Sequence, residues 1–513
     1  MSNLQGPNAF ADDGRTVIER VTEVRSHPLA YDEHELENIY ELNRVVTTIL
    51  DFGYEKIALQ FPDELLADST QVATTLKKRT GRDIYILADT SYGSCCVDEI
   101  AAQHVNADFI VHYGRSCLSR TTRLPVLYVF GKKTVDIGHC HEAFNQLFGA
   151  NKEQPILVMY DVMHAHCIED FVQKVQKSNY THIIRSFVRT EANLKPLEET
   201  DEETFTSGRR YALPDGINIE DCSVFYIGDE SLTLTNLIMT LNKCKFYTYN
   251  PKTRAGRQET FQVNKALMKR FYLIQKAKDA NVIGIVVGTL GIASYMTILS
   301  RLKNLIRKTG RKSYTFAMGK LNIAKMANFM EIDCYVLVTC PENSLIDSKE
   351  FYHPIVTPFE LEIALDRSKE WTGEYITDFQ QLLSVPHSET NDELQEELLD
   401  DDEPHYSLVT GELRQGRRYD TQNHECAYSA KNIAFWYTTL LMNKITVSSE
   451  STTMVLRNED TSVSTVLTSA AGEFFASRTF RGLEQRIGQT EVSYAEEGRL
   501  GTARRYDGED KMM

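Results

Sequence analysis

The chain of 513 residues lacks the compact cysteine motifs that usually mark a metal site. It has no Cys-x-x-Cys pair, which excludes a zinc ribbon and a thioredoxin-like redox motif. The Cys-x3-Cys-x2-Cys loop typical of many radical enzymes is absent, and so is the cysteine run of bacterial ferredoxins. Any metal site built from its ten cysteines must therefore be assembled from distant segments.

Positive charge and long hydrophobic runs are also scarce. The formal net charge is −16, which argues against general nucleic-acid binding because that needs a basic surface. The longest strongly apolar run, 282–293, is too short to span a membrane. Residues 1–15 lack the basic start and apolar stretch of a signal peptide. We therefore expect a cytoplasmic chain with reduced thiols and with no direct contact to membranes or nucleic acid.

Strands and helices are predicted to alternate over most of the chain. Apolar runs bounded by Asp, Gly or Pro alternate with segments of helical periodicity, which is typical of parallel sheets covered by helices. The fold class is therefore α/β, with three similar domains, each a parallel sheet flanked by helices. The predicted order is a flexible N-terminus at 1–30, then domains at 31–150, 151–280 and 281–385.

The composition changes after the third domain. Residues 388–404 include nine acidic side chains and no Lys or Arg. Such a run cannot bury enough apolar surface to order itself, so we predict a disordered acidic insertion at 386–410. A C-terminal extension follows at 411–513, with one apolar helix predicted at 434–442.

Cysteines follow three of the predicted strands. Cys95 and Cys96 come after the strand at 83–88, Cys117 after the strand at 107–113, and Cys340 after the strand at 334–338. Ligands in open α/β sheets bind at the carboxyl ends of strands. Three thiolates at such ends could hold a 4Fe-4S cluster with one iron left open. Buried cysteines without a metal are the alternative, because free cysteine packs as a small hydrophobic residue.

Two further features of these loops allow more than one interpretation. Neighbouring side chains point apart in extended backbone, so we expect only one of Cys95 and Cys96 to face a metal. The segment 288–291, Gly-Thr-Leu-Gly, follows another predicted strand. Its backbone could approach a phosphate or carboxylate, or it could form a tight turn that binds nothing.

Longer motifs around these cysteines resemble the diphthamide biosynthesis protein 1 and 2 family. The resemblance covers about 36–377, with a further match in the tail at 481–484 and 497–499. The motifs that carry it are Asp89–Asp98, His112–Leu118, Gly288–Gly291, Val338–Pro341 and Phe351–Glu360.

The resemblance implies a fold and an activity. Members of this family have three homologous α/β domains, and one cysteine from each domain binds a 4Fe-4S cluster. The cluster cleaves S-adenosylmethionine to a 3-amino-3-carboxypropyl radical, which modifies one histidine of translation elongation factor 2 in the first step of diphthamide formation. In eukaryotes two paralogues form a heterodimer, and the first carries the catalytic cluster.

This chain departs from the catalytic pattern in its middle domain. Where the catalytic paralogue has Gly-Cys-Thr, the segment 206–211 reads Thr-Ser-Gly-Arg-Arg-Tyr, so Arg209 stands in place of the cysteine. A guanidinium cannot be deprotonated and cannot replace a thiolate ligand. The departure matches the second, auxiliary paralogue, so we do not expect a catalytic subunit.

The expected metal ligands are Cys96, Cys117 and Cys340, with Cys95 as the alternative to Cys96. We expect an auxiliary subunit of the 2-(3-amino-3-carboxypropyl)histidine synthase complex, whose iron–sulfur cluster supports electron transfer to the catalytic cluster of its partner. The expected partners are diphthamide biosynthesis protein 1, elongation factor 2 as protein substrate, and an electron-donor protein. S-adenosylmethionine would be bound by the partner.

Two other functions compete with this one. A structural pseudo-enzyme would stabilise the partner and dock elongation factor 2 without a redox role. An independent transferase would cleave S-adenosylmethionine by itself, and Arg209 argues against it.

Overall fold

A computed structural model describes residues 32–87, 93–192, 203–319, 321–346, 351–366, 368–384, 405–414, 501–502 and 505–506. The chain divides into two compact units, 1–447 and 448–513. In the second unit the described residues form one antiparallel pair of strands, Gly501–Thr502 and Arg505–Tyr506. The three main sheets and their helices lie in the first unit.

The first sheet has the strand order β2-β1-β3-β4-β8. Strands β1 to β4 are parallel, and the short β8 adds to β4 in the antiparallel sense. Apolar side chains of α1 and α2 pack on β1 and β3. The elements are α1 (Glu33–Tyr40), α2 (Leu42–Phe52), β1 (Lys56–Gln60), α3 (Ser69–Thr80), β2 (Asp83–Leu87), α4 (Glu99–His104), β3 (Phe109–Tyr113), β4 (Val126–Val129) and β8 (Glu191–Ala192).

The second sheet has the order β13-β12-β11-β5-β6, with only β13 antiparallel to its neighbour. The helix α5 precedes it in the chain and packs on it through aromatic side chains. The elements are α5 (Ile137–Phe148), β5 (Ile156–Tyr160), α6 (Ile168–Gln176), β6 (Ile183–Arg185), β11 (Ser223–Ile227), α7 (Leu232–Thr240), β12 (Lys245–Asn250) and β13 (Ala255–Gln258).

The third sheet has the order β15-β14-β16-β17, and all its pairs are parallel. It also has a helix before its first strand, since α8 packs on β14. The elements are α8 (Thr260–Lys278), β14 (Val282–Val287), α9 (Tyr295–Lys308), β15 (Lys312–Ala317), α10 (Ile323–Ala327), β16 (Cys334–Val338), β17 (Ile355–Val356), α11 (Pro358–Leu365) and α12 (Phe379–Ser384).

The predicted α/β class is confirmed, because three mainly parallel sheets are flanked by helices. The first helical segment, 33–52, consists of two helices. Glu41 lies between α1 and α2 with φ 48°, a left-handed conformation that ends one helix and begins the next. The exact domain boundaries remain predictions.

A small antiparallel sheet, β7-β10-β9, lies between β6 and β11 along the chain and was not predicted. It consists of β7 (Phe187–Val188), β9 (Glu203–Thr206) and β10 (Arg209–Ala212). Ser207 (φ 49°) and Gly208 (φ 73°) connect β9 to β10. Two successive left-handed residues make the tight hairpin turn that matches the twist of its strands. The hairpin brings Arg209 into the interior.

Several predictions fall on residues outside those described: the flexible N-terminus 1–30, the acidic run 388–404 and the apolar helix 434–442. Within 386–410 the last residues are described. They begin a hairpin of β18 (His405–Tyr406) and β19 (Leu413–Arg414), which crosses the predicted boundary at 410. Across the described part of the chain, every helix is too short or too polar to cross a membrane.

Candidate metal centre

Four cysteine thiols converge at the carboxyl ends of strands in the first and third sheets. The sulfur atoms of Cys95, Cys96, Cys117 and Cys340 all lie within 4.8 Å of one another. Cys95 Sγ is 3.9 Å from Cys340 Sγ, and Cys117 Sγ is 3.8 Å from Cys96 Sγ. Cys95 is partly buried and the other three are buried, and all are free thiols. The structure thus brings together the three predicted ligands and the predicted alternative.

The cysteine doublet lies in a turn. The Cys96 N–H donates to the Gly93 carbonyl over 3.0 Å, which curves the backbone through Ser94 and Cys95. The expectation that only one of the two sulfurs faces the centre assumed extended backbone. Because the backbone is turned, both sulfurs belong to the same group.

Backbone and amide hydrogen bonds anchor the doublet. Gln60, the buried last residue of β1, donates from Nε2 to the Cys96 carbonyl over 2.8 Å. Its Oε1 accepts from the Asp98 N–H over 2.9 Å. The Cys117 N–H donates to the Cys95 carbonyl over 3.0 Å. One buried amide and one backbone bond therefore fix the doublet loop against β1 and against the loop that carries Cys117.

The third sheet meets this loop directly. The Asn343 amide lies 3.8 Å from Cys95 Sγ. A Cβ on Gly291 would lie 2.5 Å from the Val97 carbonyl oxygen, so only glycine allows this approach of the two loops. The segment 288–291 therefore packs its backbone on the doublet loop, and the described contacts there are with protein.

The thiols share their protons unequally. Hydrogen bonds from Cys340, Cys95 and Cys96 lower the pKa of the Cys117 thiol well below its ordinary value. The same bonds to Cys117 raise the pKa of Cys96 and of Cys340. Cys117 also lies 3.2 Å from the Ser119 hydroxyl. Four thiols gathered in this way form a site for a thiophilic metal, which displaces their protons when it binds.

Arg209, which stands in place of a cysteine, lies on β10 of the small antiparallel sheet, and among the described residues no thiol of the group comes from the second sheet. Cys222 and Cys244 pack in the core of that sheet and are not members of the four-thiol group. Arg209 is 2% exposed. It donates from Nη2 to the Tyr160 carbonyl over 3.0 Å and from Nη1 to the Ser207 carbonyl over 3.3 Å.

Sequence reasoning missed a polar network beside the thiols. Arg115 Nη2 lies 3.4 Å from Glu342 Oε2, and Arg115 Nε lies 3.7 Å from Asp161 Oδ2. The Thr233 hydroxyl donates to Glu342 Oε1 over 2.7 Å and also contacts Arg115. The available signal was position, because Arg115 and Glu342 each stand two residues from a candidate ligand.

Four thiolates form a soft donor set, suited to an iron–sulfur cluster or to zinc. The residues present therefore fit the kind of metal group that the sequence predicts, with a fourth sulfur in addition. Oxygen-seeking ions such as magnesium and calcium do not match these donors.

Comparison with known proteins gives one consistent family. A family model described as "Putative diphthamide synthesis protein" matches residues 61–376. The 2-(3-amino-3-carboxypropyl)histidine synthase subunit 2 of Danio rerio is 43% identical, covering 98% of this chain and 97% of that one. The corresponding subunit of Gallus gallus is 41% identical, with 98% and 99% covered.

A solved structure shares the fold. The crystal structure of Dph2 from Pyrococcus horikoshii with a 4Fe-4S cluster aligns with a TM-score of 0.50 and 20% identity, over 65% of this chain and 93% of that one. The relationship predicted from the motifs is confirmed, and the chain belongs to the diphthamide synthesis protein family.

Proposed function

We propose that this chain is the auxiliary subunit of a 2-(3-amino-3-carboxypropyl)histidine synthase, which carries out the first step of diphthamide formation on elongation factor 2. The observation that carries the proposal is the group of four free thiols within 4.8 Å. Two facts support it: relatives that match nearly the whole chain are named subunit 2 of that synthase, and a protein of the same fold was solved with a 4Fe-4S cluster.

The ligands we propose for a 4Fe-4S cluster are Cys96, Cys117 and Cys340, as the sequence predicts, with Cys95 as the fourth. Four cysteine ligands would leave no iron open to a substrate. Closed coordination is typical of sites that serve structure or electron transfer, whereas catalytic metal sites keep an open position. S-adenosylmethionine would therefore bind to the partner subunit, diphthamide biosynthesis protein 1.

In this role a bound cluster would accept one electron from a donor protein and release it to the cluster of the partner. The chain's own residues would provide the setting. Three buried sulfurs exclude water from most of the site, and the partly buried Cys95 marks its most accessible side. With Arg209 in place of a cysteine, the middle domain gives no thiol to the group among the described residues.

The test is metal analysis and spectroscopy on the anaerobically purified chain, alone and with its partner. We expect iron and acid-labile sulfide in equal amounts, an EPR signal of a reduced 4Fe-4S cluster and matching Mössbauer spectra. Reduction of the wild-type chain should be followed by reduction of the partner's cluster. A chain free of iron under these conditions would end the redox proposal.

The sulfur distances support a second candidate, a structural zinc site. Zinc binds thiolates at about 2.3 Å in a tetrahedron, which places the sulfurs roughly 3.8 Å apart. Two of the sulfur pairs lie at 3.9 and 3.8 Å, whereas a larger cluster would require the three cysteine loops to separate. One zinc ion per chain without iron, with full activity of the complex, would favour a subunit that stabilises its partner and docks elongation factor 2.

A further inference from the structure

An arginine–glutamate pair connects the two loops that carry Cys117 and Cys340. Arg115 precedes Cys117 by two residues, and Glu342 follows Cys340 by two residues. The guanidinium Nη2 and the carboxylate Oε2 are 3.4 Å apart. The pair therefore spans the junction between the first and third sheets beside the sulfur atoms.

The second sheet joins the same network. Thr233, in the first turn of α7, donates to Glu342 and contacts Arg115. Asp161, which directly follows β5, lies 3.7 Å from Arg115 Nε. All three sheets thus meet at Arg115 and Glu342, although the second sheet supplies no thiol to the group.

The carboxylate of this network is buried and its guanidinium is partly buried. Glu342 and Thr233 are buried, and Arg115 is 36% exposed along its side chain while its Nε is buried. Burial opposes the charge of Arg115, but Glu342 and Asp161 outweigh that effect and raise its pKa. Burial raises the pKa of Glu342, and Arg115 opposes that shift. Fixed charges in such surroundings act more strongly on a neighbouring site than exposed ones do.

Both charged groups also stand close to the thiols along the chain, since Arg115 is two residues from Cys117 and Glu342 is two residues from Cys340. Cys95 contributes to the raised pKa of Arg115, and Cys117 contributes to the raised pKa of Glu342. Charge and hydrogen bonding around the ligands of an iron–sulfur cluster set its reduction potential. A cation favours the reduced form, which carries one more electron, and an anion disfavours it.

We infer that Arg115 and Glu342 are positioning residues that hold the two cysteine loops together and set, with opposite signs, the reduction potential of the cluster. The inference rests on the proposed function, because it requires a redox-active cluster bound to the four thiols.

The test is an EPR-monitored redox titration of the full chain, purified anaerobically with its partner, in wild type, Arg115→Gln and Glu342→Gln. We expect Arg115→Gln to lower the midpoint potential and Glu342→Gln to raise it. Each shift should correspond to at least a tenfold change in the reduction equilibrium, about 59 mV for one electron. Arg115→Lys should return the potential toward the wild-type value, because it restores the charge.

Two further variants separate charge from structure. Thr233→Val removes a hydrogen bond without changing charge, so it should leave the midpoint potential in place. Arg301→Gln breaks another buried pair, with Glu362 between α9 and α11, and serves as the matched control. If Arg115→Gln does not fold, as judged by circular dichroism and gel filtration, Glu342→Gln with Arg115→Lys still decides the sign.

The possible failures are distinct. Iron and sulfide are measured first, and a wild-type chain without a cluster overturns the proposed function. If the wild-type chain holds a cluster, two results overturn the inference alone. The midpoint potentials of Arg115→Gln and Glu342→Gln shift in the same direction, or they shift no further than that of Arg301→Gln.

Discussion

Gly208 lies against Leu118 so closely that a Cβ on Gly208 would be 2.4 Å from the Leu118 Cβ. Leu118 follows the candidate ligand Cys117, and Gly208 precedes Arg209. This single approach places the turn of the β9–β10 hairpin on the loop of the first sheet that carries Cys117. The hairpin is thereby a neighbour of the centre although it has no ligand.

The substitution Gly208→Ala should destabilise the protein beyond the usual cost of a left-handed alanine. The new methyl group would also collide with the Leu118 side chain and carbonyl oxygen. Overpacking of this kind costs about 1–3 kcal/mol. The control is Gly216→Ala, where φ is +80° and nothing lies within 4 Å. Urea unfolding compares the two, and equal losses would show that the Leu118 contact does not constrain the turn.

The buried guanidinium of Arg209 should be needed for stability. In Arg209→Met the volume is nearly kept, but the Tyr160 and Ser207 carbonyls lose a charged donor. Removing the donor of a buried carbonyl such as that of Tyr160 costs about 1–3 kcal/mol. Arg210→Met, in the same hairpin and exposed, should cost less than about 0.5 kcal/mol. Free energies of unfolding from urea titrations decide this, and similar values for both variants would contradict it.

The sequence predicted the parts of the structure that local pattern determines. The strands ending near Gln60 and Val338 are continuous apolar runs, and parallel strand ends meet at one edge, so the meeting of the cysteine loops could be inferred. The hairpin around Gly208 could not, because its strands are polar and its stability comes from contacts with a distant loop. The Arg115–Glu342 pair is equally non-local, and no periodicity marks it.

The thiol of Cys340 should be required for metal binding, whereas the thiol of Cys334, a buried cysteine at the start of β16, should not be. Cys340→Ser removes the thiol that the third sheet gives to the group, and the three that remain all come from loops of the first sheet, so the centre loses its ligand on one side and most of the bound metal should be lost. Cys334→Ser is the matched control, because Cys334 is equally buried in β16 but lies outside the group. Metal per folded chain, measured after anaerobic purification, gives the answer. Equal metal contents would exclude Cys340 as a ligand.

Closed coordination predicts a particular behaviour for Cys95→Ser. Cys95 is the most exposed of the four thiols, and the three buried thiols that remain can still hold a 4Fe-4S cluster with one open iron. We expect the variant to keep most of its iron and to bind small external ligands such as cyanide, which would change its EPR signal. The wild-type signal should not respond to the same ligand. A response in both proteins would show that Cys95 does not close the site.

Mild acid should weaken the fold through His112. Burial lowers the pKa of this histidine to about 4, although the nearby Cys117 opposes the shift. Its folded pKa is therefore below its unfolded value of about 6.5, so below that pH the unfolded chain binds the proton first. Stability should be complete above pH 6.5 and fall by about 3 kcal/mol as the pH approaches 4. Urea unfolding across this range should give a flatter profile for His112→Gln.

The exposed His104 provides the control for that experiment. His104→Gln should follow the wild-type pH profile. If His112→Gln also follows it, the buried imidazole does not control acid stability.

The distance between Cys95 and Cys340 along the chain, 245 positions, has a consequence for synthesis. At about 5–20 residues per second, a ribosome needs roughly 12–50 seconds to add the residues that separate them. During that interval Cys95, Cys96 and Cys117 are synthesised, whereas the third sheet and Cys340 are not yet complete. The nascent protein therefore carries a cluster of unshielded thiols that must be kept from oxidants and unsuitable metals until the third sheet folds.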